Sequence, residues 1–484
     1  MRRAGRVHAP LCAHGQRRPE GAGDPVADGG RLRLTPLRPD SDAGLSQRLF
    51  ARLDRRLAAD RAAPVALALS GGGDSVALLH LAADWARARG RSLLALTVDH
   101  GLNPDSARWT AEAAEAARAA GADWRGLTWD GDKPATGLTA AARAARHRLI
   151  GEAARAAGAR VILMAHTADD AAEADWMRAR GATLGRVREW SPSPAWPEGR
   201  GVMLLRPLLE ERRATLRHWL NGRGLSWIED PANADPRFGR SRARQALAAG
   251  ATAPATSSEP VEDAARLFAD DDGLVRTGRG VGGRALAAAL VSVGGGDAPP
   301  RGERLARLIA RLRAGEDFTA VLCGARVETA DADVLIMREA GELARRPLAP
   351  LRLIPGVEAV WDGRFVFTAA DPGWRVVAGR GRLAGLSPQD RAWLNRLPPG
   401  ARGAAPVLLR DGELVPVLAG VGVEWRGLVA ERLRLALDET THEDDLNPAT
   451  DGVTPRKLLF SWPDHFRPAD PRGRRPTEDP YEPA

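Results

Sequence analysis

The segment Leu69-Ser70-Gly71-Gly72-Gly73-Asp74-Ser75 constrains this chain more than any other. It joins a short apolar run, Val65-Ala-Leu-Ala-Leu69, to a stretch with helical spacing from Val76 to Arg89. Glycines in such a turn let the backbone bend sharply and approach an anion closely. Successive amides form a nest, and the following helix offers its N-terminal N–H groups and dipole. Ser70 and Ser75 add hydroxyl donors. Asp74 makes sense beside phosphates if it holds Mg2+ or orients a reacting group. A capped helix after a flexible loop is the plain alternative, since the chain carries 52 glycines. No G-x-x-x-x-G-K-[ST] occurs, so this is not a Walker loop. Gly278-Arg-Gly280-Val-Gly-Gly283 fits G-x-G-x-x-G in letters only. It reads as following an acidic loop rather than a strand, which argues against a dinucleotide site.

Around this junction, strands and helices alternate. Leu49, Leu53 and Leu57 repeat at helical spacing. Further strands are expected at Leu93–Val98 and Val161–Met164. Further helices are expected at Ser106–Ala120 (N-capped by Ser106), Thr139–Ala157 and Ala168–Arg180. Strands separated by helices of this length imply an α/β, doubly wound parallel sheet covered on both faces. Such sheets bind ligands at strand carboxyl ends. Asp99-His100-Gly101 and Ala165-His166-Thr167-Ala168-Asp169-Asp170, then Glu173, fall on that same edge. His166, Asp169, Asp170 and Glu173 suit a metal or a proton-steering role; Asp169 and Asp170 equally suit a helix dipole. A third cluster runs from Trp227 to Asn233 and on to Arg240, Arg242 and Arg244. Arginines spaced by two do not share a helix face. They suggest an extended segment tracking phosphates, or a solvated surface.

The boundaries follow from composition. Residues 1–44 read as a disordered or mis-assigned extension, 45–248 as the α/β domain that carries the glycine loop, and 249–263 as a small, polar, Pro-containing linker. Residues 264–437 read as a smaller α+β region that starts helical and then turns to short strands near Val334–Met337, Val366–Thr368 and Val407–Leu409. Residues 438–484 read as a disordered tail. A net charge of +8 suggests an anionic partner such as nucleic acid, although an arginine-for-lysine bias leaves only Lys133 and Lys457. Two cysteines, Cys12 and Cys323, cannot build a disulfide framework or a four-cysteine zinc site. No run approaches the roughly 18 apolar residues of a membrane span. A cytoplasmic protein is expected, with no membrane association and no obligate protein partner.

These motifs resemble the PP-loop ATP pyrophosphatases, and within them the tRNA(Ile)-lysidine synthetase family. The signature S-G-G-x-D-S is met by Ser70 to Ser75, V-D-H-G-L by Val98 to Leu102, and A-R-x-x-R by Ala142 to Arg146. A-H-x-x-D-D-x-x-E is Ala165 to Glu173, R-P-L-L is Arg206 to Leu209, and D-P-x-N…R-x-x-x-R looks like Asp230 to Arg244. Trp361-Asp-Gly-Arg-Phe365 looks like the C-terminal part of alphaproteobacterial members. The pattern departs at Ala174, where threonine is usual, at Ala144, and at Ala182-Thr183.

The resemblance implies the adenine nucleotide alpha hydrolase-like form of the sheet and a two-step reaction. ATP adenylates the C2 oxygen of the wobble cytidine in the CAU anticodon of tRNA(Ile), and L-lysine then displaces AMP. It implies that Ser70, Gly71, Gly72, Gly73, Asp74 and Ser75 hold ATP, with Asp74 on Mg2+. Asp170, and second His166, would accept a proton from the amine or orient it, while Arg240, Arg242 and Arg244 would contact tRNA. Thiolation of tRNA is the alternative within the same superfamily.

Overall fold

Val65-Ala-Leu-Ala68 shows no polar alternation, and a strand of that kind must be covered on both faces. The structure, a computed structural model, describes residues 42–446 except 132, 183–184, 231–234, 236, 238, 252–265 and 301. These residues belong to one compact unit. The expectations for residues 1–41, for most of the linker and for the tail beyond 446 lie outside the described residues.

The first half contains α1 (Asp42–Asp54), β1 (Val65–Ala68), α2 (Gly73–Arg89), β2 (Leu93–Asp99), α3 (Ser106–Ala120), β3 (Asp123–Thr128) and α4 (Leu138–Ala156). It continues through β4 (Val161–Leu163), α5 (Ala168–Arg178), β5 (Trp190–Pro192), β6 (Met203–Leu205), α6 (Arg213–Gly222) and α7 (Gly239–Ala248). Its sheet has the order β3-β2-β1-β4-β6-β5, parallel throughout except for β5 at one edge. This is the doubly wound sheet expected from the alternation of elements.

The pleat sends alternate residues to opposite faces. Val65, Leu67, Val161, Leu163, Met203 and Leu205 join one core with α1, α2, α3 and α6. Ala66, Ile162 and Leu204 join the other with Ile150, Ala153 and Ala154 of α4. Leu45, Leu49 and Leu53 of α1 lie on one helix face and are fully buried in the first core. Each contributes about 1.5–3 kcal/mol. With β1 between β2 and β4, the carboxyl ends of all three strands open on one edge.

Two readings of local structure change here. Ser106 is the first helical residue of α3; the cap position is Asp105, with no side-chain cap bond. Arg240, Arg242 and Arg244 lie on α7, not on an extended segment.

The second half begins with strands rather than a helix: β7 (Phe268–Ala269) and β8 (Val275–Gly278) precede α8 (Gly283–Gly294) and α9 (Gly302–Arg313). With β9 (Thr319–Leu322), β10 (Ala325–Ala330) and β11 (Asp333–Arg338) they form an antiparallel sheet of order β7-β8-β11-β10-β9. Gly278–Gly283 therefore does follow a strand and open a helix, contrary to its reading as a loop-borne motif. Because β8 pairs antiparallel with β11, no parallel βαβ unit surrounds it.

The rest comprises α10 (Ala340–Arg345), β12 (Leu351–Arg352), β13 (Ala359–Trp361), β14 (Phe365–Ala369), β15 (Trp374–Ala378), α11 (Pro388–Leu394), α12 (Pro399–Arg402), β16 (Pro406–Arg410), β17 (Val423–Gly427) and α13 (Val429–Ala436). Two three-stranded sheets result, β12-β15-β16 and β13-β14-β17. Trp361-Asp-Gly-Arg-Phe365 turns β13 into β14. There Asp362 accepts from Arg338 Nε at 3.0 Å and from Arg364 Nε at 2.8 Å, all three side chains being buried. No helix among the described residues is long and apolar enough to cross a membrane.

Residues 438–446, read as tail, are packed against the parallel-sheet half. The Arg91–Glu443 pair is 0% and 1% exposed, with Arg91 Nη1 to Glu443 Oε2 at 3.0 Å. Glu443 Oε2 also accepts from the Ala58 amide at 3.0 Å, and Leu446 joins the first core. Losing one partner of such a pair leaves an uncompensated buried charge. Glu443→Gln should lower unfolding stability by about 3 kcal/mol or more, measured by denaturant titration; a change below about 0.5 kcal/mol would show the tie to be dispensable.

Candidate active site

Between β1 and α2 the backbone makes the turn that the glycines promised. Gly71 has φ of 81°, and a Cβ there would lie 2.3 Å from Ile228 Cδ1. The Ile228 amide donates to Gly71 O at 2.9 Å, and Gly72 bridges Ile228 in parallel. Trp227 lies 3.3 Å from where a Cβ of Gly73 would be. The third sequence cluster thus begins as a clamp on the glycine loop; Pro231 to Asn233 lie outside the described residues. No side chain caps α2 at Gly72. The Ser75 and Val76 amides turn back to Gly72 O at 2.9 and 3.0 Å, so the loop backbone itself closes the start of the helix and its dipole faces the strand edge. The Ser75 hydroxyl donates to Gly72 O at 2.8 Å and lies 3.1 Å from Ser70 Oγ. Ser75 is buried and spent on holding the loop, whereas Ser70 is exposed.

Asp74 does not stand alone. Its Oδ2 accepts from Arg213 Nε at 3.1 Å. The same guanidinium reaches Asp170 Oδ1 at 3.4 Å and Glu173 Oε1 at 3.2 Å. Arg240 Nη1 approaches Asp170 Oδ1 at 3.2 Å, and Arg244 Nε approaches Glu173 Oε1 at 2.9 Å. Three carboxylates and three guanidiniums therefore interlock at the sheet edge. Burial raises the Asp74 carboxyl, and Arg213 only partly offsets it. Burial alone would favour discharging Arg213, but Asp170, Asp74 and Glu173 hold it charged.

Asp170 has two duties. Its Oδ2 accepts from the Thr167 amide at 2.9 Å and from Thr167 Oγ1 at 2.8 Å, forming a capping box on α5. Its Oδ1 faces the arginines. Burial works to raise its pKa; the Thr167 amide and then Arg213 outweigh that and lower it, so Asp170 is ionised at neutral pH. Asp169 serves the dipole of another helix, its Oδ2 accepting from the Arg213 amide at the start of α6 at 2.8 Å.

His166 Nδ1 accepts from Arg206 Nε at 3.2 Å. Burial, helped by Arg206, depresses its pKa to about 3. The ring is neutral with its proton on Nε2, so it presents a donor to the site rather than a base. His147 on α4 is likewise held at about 3, by burial and then Arg146. Burial also lowers Arg146, to about 10, with Arg143 and Arg240 adding repulsion. At the β2 end, Asp99 Oδ1 accepts from the Gly101 amide at 2.7 Å. His100 sets its edge against Trp129, and burial then Arg146 lower its pKa. The three strand ends thus meet around a positive wall built by α4 and α7.

Sequence reasoning missed Arg213, the group on which the carboxylates converge. A signal was present. Arg212-Arg213 opens a helix, where the dipole disfavours cations, so such a pair calls for anions from elsewhere in the fold. Arg240 and Arg244 are four apart and share a face of α7 toward the site, whereas Arg242 Nη1 donates to Arg237 O at 2.9 Å.

The chain is similar to known proteins over most of its length. Residues 45–250 match the family model of the PP-loop domain. The chain is 49% identical over 396 residues to the tRNA(Ile)-lysidine synthase of Caulobacter vibrioides, covering 80% of this chain and 96% of that protein. It is 35% identical to the enzyme of that name from Hyphomonas neptunium, over 64% of this chain and 90% of the relative. Among solved structures, the U34-tRNA thiolase NcsA from Methanococcus maripaludis aligns with a TM-score of 0.36 and 16% identity over 42% of this chain and 72% of that chain.

Gly71→Ala combines a disfavoured φ with the Ile228 contact and should cost about 1–2 kcal/mol; an unchanged denaturation midpoint would count against the clamp. His147 and His166 should not titrate between pH 5 and 9 by NMR. The unfolded chain takes up those protons near pH 6.5 and the folded chain near 3. Their contribution is therefore fully present above the unfolded pKa and declines as pH falls from 7 toward 3. The decline is at most about 1.4 kcal/mol per pH unit for each ring. Either ring titrating near 6.5 would remove this effect.

Proposed function

The chain belongs to the tRNA(Ile)-lysidine synthase family, and from that premise we propose how its own residues carry the reaction. It is a tRNA-modifying ligase that uses ATP to form lysidine on the wobble cytidine of tRNA(Ile). In the first step the cytidine O2 attacks the α-phosphorus and pyrophosphate leaves. In the second, the ε-amine of lysine forms a bond to C2 and AMP leaves with the oxygen.

The glycine loop, Gly71 to Gly73, and the dipole at the start of α2 cradle the pyrophosphate portion of ATP, with the Ser70 hydroxyl as a further donor. Negative charge grows on that leaving group, so fixed donors aimed at it lower the barrier. Asp74 would hold Mg2+, which would neutralise the same charge when bound. One carboxylate is enough when phosphate oxygens and waters complete the octahedron.

The ionised Asp170 holds and orients the lysine amine. At pH 7 only about one free amine in a few thousand is neutral. As the carbon–nitrogen bond forms, the nitrogen becomes far more acidic, and a carboxylate suffices to take its proton. His166 contributes its Nε2 proton as a hydrogen-bond donor and leaves the proton-accepting role to Asp170. Arg240, Arg242 and Arg244 meet the RNA phosphates. Residues 45–248 make up the catalytic domain, and 264–437 an α+β region that binds tRNA.

One observation carries this reading. Asp74 on the nucleotide loop and Asp170 on α5 lie within reach of a single guanidinium, at 3.1 and 3.4 Å. Nucleotide and amine can therefore meet over one base. Thiolation is not favoured: Cys323, the free cysteine among the described residues, packs beside the core of the second sheet.

The test incubates the protein with ATP, labelled lysine and a CAU-anticodon tRNA(Ile) transcript, then digests the RNA to nucleosides. Label should appear in lysidine, with AMP and pyrophosphate released in step. Asp74→Ala should lose about 100-fold or more in rate. Asp170→Asn should still release pyrophosphate while adenylated RNA accumulates. ATP consumption indifferent to the anticodon, or accumulation absent in Asp170→Asn, would defeat these assignments.

A further inference from the structure

The carboxylates that face the amine are already occupied by arginines, and those arginines are not held equally. Arg213 touches Asp74, Asp170 and Glu173, and its side chain is 16% exposed. Arg240 and Arg244 each meet one carboxylate and are 39% and 40% exposed. Arg240 is also crowded by like charge, since its field and that of Arg143 both depress Arg146. Glu173, 1% exposed, accepts both of its ion pairs on Oε1. Its Oε2 has no hydrogen-bond partner among the described residues. A buried carboxylate oxygen without a donor is an incomplete site.

The charges balance as they stand: Asp74, Asp170 and Glu173 against Arg213, Arg240 and Arg244. A cationic amine entering this set meets arginines on the carboxylates it needs. A polyanion such as RNA competes for those same arginines. It relieves the crowding against Arg143 and Arg146, and it leaves Asp170 Oδ1 and Glu173 Oε1 each with Arg213 as the one guanidinium still paired to it, so that an amine can take the vacated side. The two loosely held guanidiniums are the ones that can leave, because partly exposed single ion pairs are weak and screened. Arg213, held three ways and by its own amide, stays.

We infer that Arg240 and Arg244 act as an anion-operated gate, closing Asp170 and Glu173 to the lysine amine until RNA phosphates draw the two guanidiniums away. This rests on the lysine-adding reading and deepens it. The gate makes binding of the second substrate follow binding of the RNA, and it keeps amine and ATP from meeting without an acceptor. Reciprocity is part of the inference: lysine must tighten RNA by the factor by which RNA tightens lysine.

The experiment is equilibrium dialysis of labelled lysine against the full-length protein, with and without the CAU transcript. For the wild type, RNA should tighten lysine by about tenfold or more. In the double variant Arg240→Gln, Arg244→Gln, lysine alone should bind about as tightly as it binds the wild type with RNA present. Added RNA should then change lysine affinity less than about twofold. The charge-keeping pair Arg240→Lys, Arg244→Lys should restore the RNA dependence, which a purely structural role would not require. If the double glutamine variant fails to fold by circular dichroism, Arg244→Gln alone, which frees only Glu173, is read in the same way. Lysine binding that stays weak and RNA-dependent in the glutamine variants would overturn the gate. Wild-type protein that binds no lysine even with RNA and ATP would instead overturn the lysine-adding reading, and the gate with it.

Discussion

One guanidinium organises the site. Arg213 is anchored at its amide by Asp169 and reaches out to Asp74, Asp170 and Glu173. Without it, three carboxylates would face one another across a partly buried edge, and like charges at such distances cannot all ionise freely. With it, charge adds to the packing of α2 against α6 and ties the nucleotide loop, the α5 helix and the α6 helix together at the site. The sheet brings the loops to one edge, and Arg213 turns that edge into a single constellation.

The α/β alternation was legible because the central strands are apolar on both faces and the glycine loop announces its own turn. Strand β3 was not: Asp-Trp-Arg-Gly-Leu-Thr lies at a sheet edge, mostly exposed, and carries no buried-strand pattern. The β7–β8 hairpin was hidden by the shortness of β7. Helix α7 was misread because the i, i+2 arginine spacing drew attention away from the i, i+4 pair that matters. Among site residues, Asp74, Asp170 and His166 could be named from local motifs. Arg213 could not be named that way, because its partner Asp74 lies 139 residues away and nothing local identifies the anion. The tautomer of His166 was equally hidden, since it depends on Arg206, forty residues downstream.

Asp170 shows why chemistry and architecture resist separation here. One oxygen caps α5 and the other faces the reacting groups. The capping box fixes the carboxylate's direction and keeps it ionised, so the helix start prepares the group that meets the amine. Ser75 makes the opposite choice. It gives its hydroxyl to the loop backbone and leaves Ser70 to the ligand.

The buried Arg91–Glu443 pair has a consequence for biogenesis. The parallel-sheet half is synthesised first, yet Arg91 and the Ala58 amide find their carboxylate only near the far end of the described residues. Until that segment is made, the Arg91 guanidinium lacks the carboxylate it is buried against in the folded chain. The parallel-sheet half gains that seal only once residues 438–446, which follow all of the antiparallel strands, have been made.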